Sequence, residues 1–212
     1  MKKYIISFII IVIFTYGCSF TTYNINTSLT LDNVTTLVKK HTPNYCNYRG
    51  KAGVSIEADQ NVSFTILLNK KCNEEVLINV LGALNNPVAS IKYEDNKLDV
   101  KTQSEENTQA IKEIADNSIF HMISFFKSPV ALPKDKSKIS FSSSSYIFTD
   151  ESGDKLYADD KFRIYKYEAG KVVSEYGWDR DEDILNYIKV TSPNGKVTIK
   201  FLNKKGWSSK DD

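Results

Sequence analysis

Residues 48 to 68 alternate between apolar and polar with a period of two on either side of one short break, and no other stretch constrains the fold as tightly. Tyr48, Gly50, Ala52, Val54 and Ile56 hold even positions, with Arg49, Lys51, Ser55 and Glu57 on odd ones. After Ala58-Asp59-Gln60 the even positions are apolar again, at Val62, Phe64, Ile66 and Leu68. A period of two belongs to a strand with one buried face, so the sequence predicts a hairpin. Directly opposed residues share a face, so even must meet even; a three-residue connection centred on Asp59 does this and pairs positions that sum to 118. Cys46 and Cys72 obey the same sum. They are expected opposite each other at the open end of the hairpin, within disulfide reach, the alternatives being two buried free thiols or a slipped register.

Most of the chain beyond this hairpin also reads as strands, which makes the protein mainly β. Glu75 to Val80 is a short apolar run, Pro87 to Glu94 alternates through Ala89, Ile91 and Tyr93, and Asp95-Asn96 turns into Lys97 to Thr102. Ser104 to Phe126 breaks the rhythm. There Ile111, Ile114, Ala115, Ser118, Ile119, Met122, Phe125 and Phe126 form one stripe at helical spacing, with Pro129 and Pro133 beyond its end. Strands resume at Ile139 to Phe148, Lys161 to Glu168 and Lys171 to Tyr176. The Ser142 to Ser145 run reads as part of the first of these, a strand with small side chains. A last hairpin with Asn194-Gly195 as its two-residue loop pairs positions that sum to 389, setting Ile188 opposite Phe201 and Val190 opposite Ile199. Asn33 to Lys40 reads as a short helix through Val34, Leu37 and Val38.

The N-terminus carries an address. Met1-Lys2-Lys3 is a positive start, and Tyr4 to Phe14 is an apolar run broken only by Ser7. It is shorter than the roughly 20 residues of a membrane-spanning helix and reads as an export signal. It ends at Thr15-Tyr16-Gly17-Cys18, a small residue before a cysteine, which resembles the lipobox of bacterial lipoproteins with Thr15 where an aliphatic residue is usual. That resemblance implies removal of residues 1–17 and acylation of Cys18; a plain secretory signal or an uncleaved anchor is the alternative. Two or more acyl chains hold a protein stably to a bilayer where one does not. Ser19 after the cysteine implies sorting to the outer membrane, and the Thr-, Asn- and Ser-rich residues 18–30 read as a tether.

Charge excludes one class of partner. Lys and Arg total 28 against 26 acids, and Lys2 and Lys3 would leave with the signal, so the remaining chain is balanced. A nucleic-acid protein must neutralise many phosphates and is not made this way. Nor is net attraction to anionic lipid expected, which leaves acyl chains and apolar contacts as the membrane attachment.

No catalytic set stands out. The two histidines, His41 and His121, are isolated, there is no G-x-S-x-G elbow, and Cys46 and Cys72 are explained by the hairpin. The acidic groups Asp150-Glu151-Asp154 and Asp179-Asp181-Glu182-Asp183 lack the glycine and terminal glutamate of a calcium loop and read as solvated turns. The chain is expected to be neither an enzyme nor a metal protein, with no cofactor beyond acyl chains on Cys18.

The order of parts resembles the LolB family of outer-membrane lipoproteins, which receive lipoproteins from the periplasmic carrier LolA. The resemblance covers roughly Leu31 to Trp207, leaving 208–212 as a tail. It rests on the lipobox-like start, the short helix, Tyr48-Arg49-Gly50 in the first strand, and Val76-Leu77-Ile78-Asn79-Val80-Leu81-Gly82-Ala83, similar to the family's strand followed by Asn-Pro-Leu-Gly. Val80 stands where that family has proline. The resemblance implies an incomplete antiparallel β-barrel, or strongly curved sheet, covered by one long and one or two short helices around an apolar cavity. Val54, Ile56, Phe64, Ile66 and Leu68 on the sheet and Ile114, Ile119, Met122 and Phe126 on the helix would line that cavity; the same periodicity also suits a filled core. It further implies a membrane-insertion loop at Leu81 and Gly82, a LolA-like carrier and lipoprotein cargo as partners alongside membrane lipid, and a monomer on the periplasmic face of the outer membrane.

Overall fold

A computed structural model describes residues 24–41, 47–58, 61–71, 75–82, 84–94, 97–102, 130–179, 184–203 and 206–208. One helix among them, α1 (Leu31–His41), follows Thr30, whose hydroxyl accepts from the Asn33 amide at 3.4 Å as an N-cap. Asp32 in its first turn and Lys39, Lys40 and His41 in its last match the helix dipole, and Val34 and Val38 turn into the core.

The strands are β1 (Asn47–Glu57), β2 (Asn61–Lys70), β3 (Val76–Leu81), β4 (Pro87–Glu94), β5 (Lys97–Thr102), β6 (Lys138–Phe141), β7 (Tyr146–Thr149), β8 (Lys155–Ala158), β9 (Ile164–Ala169), β10 (Val172–Trp178), β11 (Leu185–Ser192), β12 (Gly195–Phe201) and β13 (Trp207–Ser208). They make one antiparallel sheet in the order β5-β4-β3-β2-β1-β12-β11-β10-β9-β8-β7-β6, with β13 added beside β1. Two meanders, β1 to β5 and β6 to β12, therefore meet along a single β1–β12 seam. β5 and β6 lie at opposite ends of the order although they are consecutive in sequence.

The first hairpin has the expected register. Tyr48 faces Lys70, Val54 faces Phe64 and Glu57 faces Asn61, all summing to 118. Cys46 and Cys72 lie outside the described residues, as does the predicted helix from Ser104 to Phe126.

The last hairpin differs. Ile188 faces Ile199 and Val190 faces Val197, a sum of 387 rather than 389, and Pro193-Asn194 form the loop. In the expected register Pro193 would have been the residue flanking the loop, where the ladder calls for an N–H that proline lacks. The turn moves back so that Ser192 takes that place: its hydroxyl accepts from the Asn194 amide and donates to the Gly195 carbonyl, both at 3.3 Å. Gly195 is left with φ 140°, and a Cβ there would stand 2.6 Å from the Glu57 carbonyl, so only glycine fits. A slip of two leaves every side chain on its expected face.

Ile139 to Phe148 is likewise a hairpin and not one strand. Ser142 donates its amide to the Ser145 carbonyl at 2.9 Å, and Ser144 donates to the Ser142 hydroxyl at 3.3 Å, so the serines bond locally and make the turn between β6 and β7. β8 comes next, a strand of four residues with Leu156 and Ala158 buried.

One face is continuous across the seam. Phe148, Leu156, Tyr167, Ser174, Val190, Val197 and Ile56 stand opposite one another in turn from β7 to β1. The core gathers on this inner face, where Tyr48, Phe201 and Trp207 pack with ring centroids 4.7 to 5.0 Å apart. Ile25 and Leu29, expected in a loose tether, pack against that core, and the Asn26 amide donates to the Tyr146 hydroxyl at 3.0 Å.

Candidate functional site

A cavity of about 500 Å³ opens on the inner face of β7 to β10. Phe148, Leu156, Val172 and Tyr176 supply its apolar walls, and the segment Ala131 to Ser137 caps it. Its position comes from the register: Phe148, Leu156, Tyr167 and Ser174 belong to the inner cross-strand row. The cap is tied to β10 at its start and braced within itself at its end. The Ala131 amide donates to the Tyr176 hydroxyl at 3.4 Å, and the Ser137 hydroxyl donates back to the Lys134 carbonyl at 2.8 Å.

Polar groups gather at one side. Lys134 Nζ lies 2.5 Å from Asp150 Oδ2 and 3.7 Å from Asp154 Oδ2, and the Tyr167 hydroxyl donates to Asp154 Oδ2 at 3.1 Å. Asp150 Oδ1 also accepts from the Ser152 amide and hydroxyl and from the Asp154 amide, at 2.7 to 3.0 Å. The Lys134 ammonium, with help from Ser152, holds the Asp150 carboxyl down at about 2, and Asp150 in turn raises Lys134. Burial pushes Tyr176 up to about 12 and also raises Tyr167, which donates to a carboxylate. The wall is therefore apolar with one ionic corner, suited to an apolar ligand.

The sequence-predicted lining residues fall elsewhere. Val54, Ile56, Ile66 and Leu68 are buried in the core under β1 and β2, and Phe64 is half-buried. None of them lines this cavity. Ile114, Ile119, Met122 and Phe126 lie outside the described residues, as do Cys18 and His121. The cap is the part that sequence patterning does not reveal: Ala131 to Ser137 has no periodicity, and its partners Asp150 and Tyr176 are 16 and 45 residues away from Lys134 and Ala131.

Leu81 and Gly82 lie at the end of β3 and the turn that follows it. Leu81 is not the residue that projects; it closes β3 opposite Thr65 and is half-buried. Gly82 turns the chain, donating to the Asn86 carbonyl at 2.8 Å, and a Cβ on it would stand 2.8 Å from Val88 Cγ1. The exposed leucine is Leu84, at 82%. Strand pairing with Thr65 carries β3 one residue further than the Leu-Gly pair suggested, so the turn falls after Gly82.

Among the described residues no helix is long and apolar enough to cross a membrane, and no three metal-ligating side chains gather. The ring of His41 packs 6.1 Å from that of Phe162.

No protein-family model and no curated protein matches the chain. Solved structures do. The chain is similar to a LolA superfamily protein from Nitrosomonas europaea, with a TM-score of 0.52 and 10% identity over 82% of this chain and 92% of that one. A DUF1329 family protein from Desulfovibrio piger aligns with a TM-score of 0.46 and 12% identity over 82% and 91% of the two chains. The first likeness is one of fold: the curved, open antiparallel sheet of this chain is an incomplete barrel of the LolA type.

Proposed function

We propose that the protein is a non-enzymatic acyl-chain binder tethered through Cys18 to the periplasmic side of the outer membrane, accepting lipoproteins from a LolA-like soluble carrier and releasing them beside the bilayer. The observation that carries this is the cavity of about 500 Å³ on the inner face, apolar in its walls and capped by Ala131 to Ser137, within the size range of small-molecule sites. Burying a methylene there gains about 0.8 kcal/mol, which drives capture without any chemistry. The reading is supported by the cross-strand row, which sets Phe148, Leu156, Tyr167 and Ser174 side by side in the wall of the cavity. The leucine suited to assist release is Leu84, which projects from the β3–β4 loop.

A fluorescent acyl probe should be taken up saturably by the protein, and Val172→Trp, which fills the cavity, should abolish uptake while the fold survives. Unchanged uptake by that variant removes the cavity from the mechanism. A second reading, a structural lipoprotein with a filled core, draws on Val54, Ile66 and Leu68, each at most 2% exposed. It predicts no uptake by the native protein and no lipid that co-purifies with it.

A further inference from the structure

The balanced charge of the chain conceals a local imbalance on the outer face. Lys51 on β1 stands opposite Leu67 on β2, and on its other side its carbonyl accepts from the Leu202 amide at 2.9 Å. Its ammonium reaches Asn85 Oδ1 at 3.2 Å, which draws the β3–β4 loop, and with it Leu84, toward this face. Leu67, Leu84 and Leu202 are 40, 82 and 53% exposed. Arg49, two residues before Lys51, and Lys200, two before Leu202, are exposed and share the face by strand alternation.

These three cations differ from their neighbours. Lys196 pairs with Glu57 at 2.7 Å, Lys92 with Glu94 at 2.6 Å, and Lys189 with Glu175. Among the described residues no carboxylate pairs with Arg49, Lys51 or Lys200. The sequence explains this: β1, β2, β3 and β12 hold a single acid, Glu57, at the opposite end of β1. Large exposed leucines set among unneutralised cations suit one environment in particular. The buried centre of a protein interface is depleted in lysine, whereas a bilayer surface takes leucine into its acyl region and ammonium groups at its phosphates.

We propose that the outer face of β1, β2 and β12, together with the β3–β4 loop, docks on an anionic bilayer, with Arg49, Lys51 and Lys200 on lipid phosphates and Leu84 entering the acyl region. This deepens the reading above and rests on its placement of the protein at a membrane. An N-terminal anchor holds the chain near the bilayer but leaves it free to rotate. The cationic face would fix which side meets the lipid.

Hydrogen exchange of the full chain on vesicles tests this, because the N-terminal segment is common to every sample and the readout is local. On phosphatidylcholine vesicles containing phosphatidylglycerol, amides of the β3–β4 loop and around Leu202 should exchange more slowly than on phosphatidylcholine alone, and high salt should erase the difference. Lys51→Gln and Lys200→Gln should each weaken the effect about five-fold, and Leu84→Glu should abolish it in the loop. Both lysines are exposed, so the fold should survive their replacement. Equal exchange on the two vesicle types overturns the proposal. So does protection by soluble polyglutamate with none on vesicles, which would assign the face to an acidic protein. Probe uptake is measured separately: its failure with lipid-dependent protection intact sinks the cavity alone, and the converse sinks only this docking surface.

Discussion

Lys134 and Asp150 meet at 2.5 Å, and this contact ties the segment capping the cavity to the turn after β7. Lys134 precedes β6 and Asp150 follows β7, whose pairing ends at Lys138 and Thr149, so the ion pair carries the contact of that hairpin on into the cap. Asp150 is the more buried partner, with its side chain 10% exposed against 57% for Lys134. Its carboxyl is held at about 2, below the ordinary value of about 3.9.

A depressed folded-state value means that this link stabilises the protein above the unfolded value and is lost as pH falls through the folded one. Urea unfolding measured from pH 5 to pH 2 should show stability falling between about 4 and 2, and Asp150→Asn should flatten that fall. An unchanged pH profile in the variant would show that other carboxylates govern acid unfolding.

Ile66 and Leu68 are both fully buried, whereas Leu84 is 82% exposed. Ile66→Ala or Leu68→Ala should each cost about 2–5 kcal/mol in denaturant unfolding. Leu84→Ala should cost at most about 0.5 kcal/mol. A Leu84 variant as damaging as the core variants would mean that the loop leucine packs in solution.

Gly195 and Gly53 offer a matched comparison on adjacent strands. Gly195→Ala meets both a φ of 140° and the Glu57 carbonyl at 2.6 Å, while nothing lies within 4 Å of a Cβ at Gly53. Thermal unfolding should therefore show a loss of about 1–3 kcal/mol for Gly195→Ala and a change within about 1 kcal/mol, of either sign, for Gly53→Ala. Similar losses at the two sites would contradict the Pro193-Asn194 turn.

The observed hairpin pairs positions that sum to 118, as Tyr48 and Lys70 do, and Cys46 and Cys72 have the same sum in the sequence, so the sequence expectation of a disulfide can be tested. Oxidised protein should show no reactive thiol at either position by mass analysis under non-reducing conditions, and replacing both by serine should cost about 2–4 kcal/mol. Two alkylatable thiols at these positions in the native protein, isolated without reductant, would rule out the bond.

What the sequence reveals and what it conceals divide along physical lines. Alternation at Tyr48 to Leu68 is a local signal with a fixed period, so strands, faces and the first register are legible in it. Turns depend on single residues: Pro193 moves one hairpin by two because it has no N–H to give, and the serines from Ser142 to Ser145 close another by bonding among themselves. Leu81 does stand beside a turn, but one further pair with Thr65 half-buries it and passes the exposed position to Leu84. The cavity is the least legible feature. Its cap is aperiodic, and the contact between Ala131 and Tyr176 exists only once the chain has folded.

The β1–β12 seam bears on how the molecule is made. Each meander closes by turns of a few residues, so either can form early and locally. The seam joins Val54 to Ile199 and Ala52 to Phe201, partners nearly the whole domain apart along the chain. Ordering so long a loop delays the pairing, and β12 follows every other strand of the two meanders in the chain. Until it arrives the edge of β1 is unpaired, so a nascent chain passes through a stage with two half-sheets and no complete inner face.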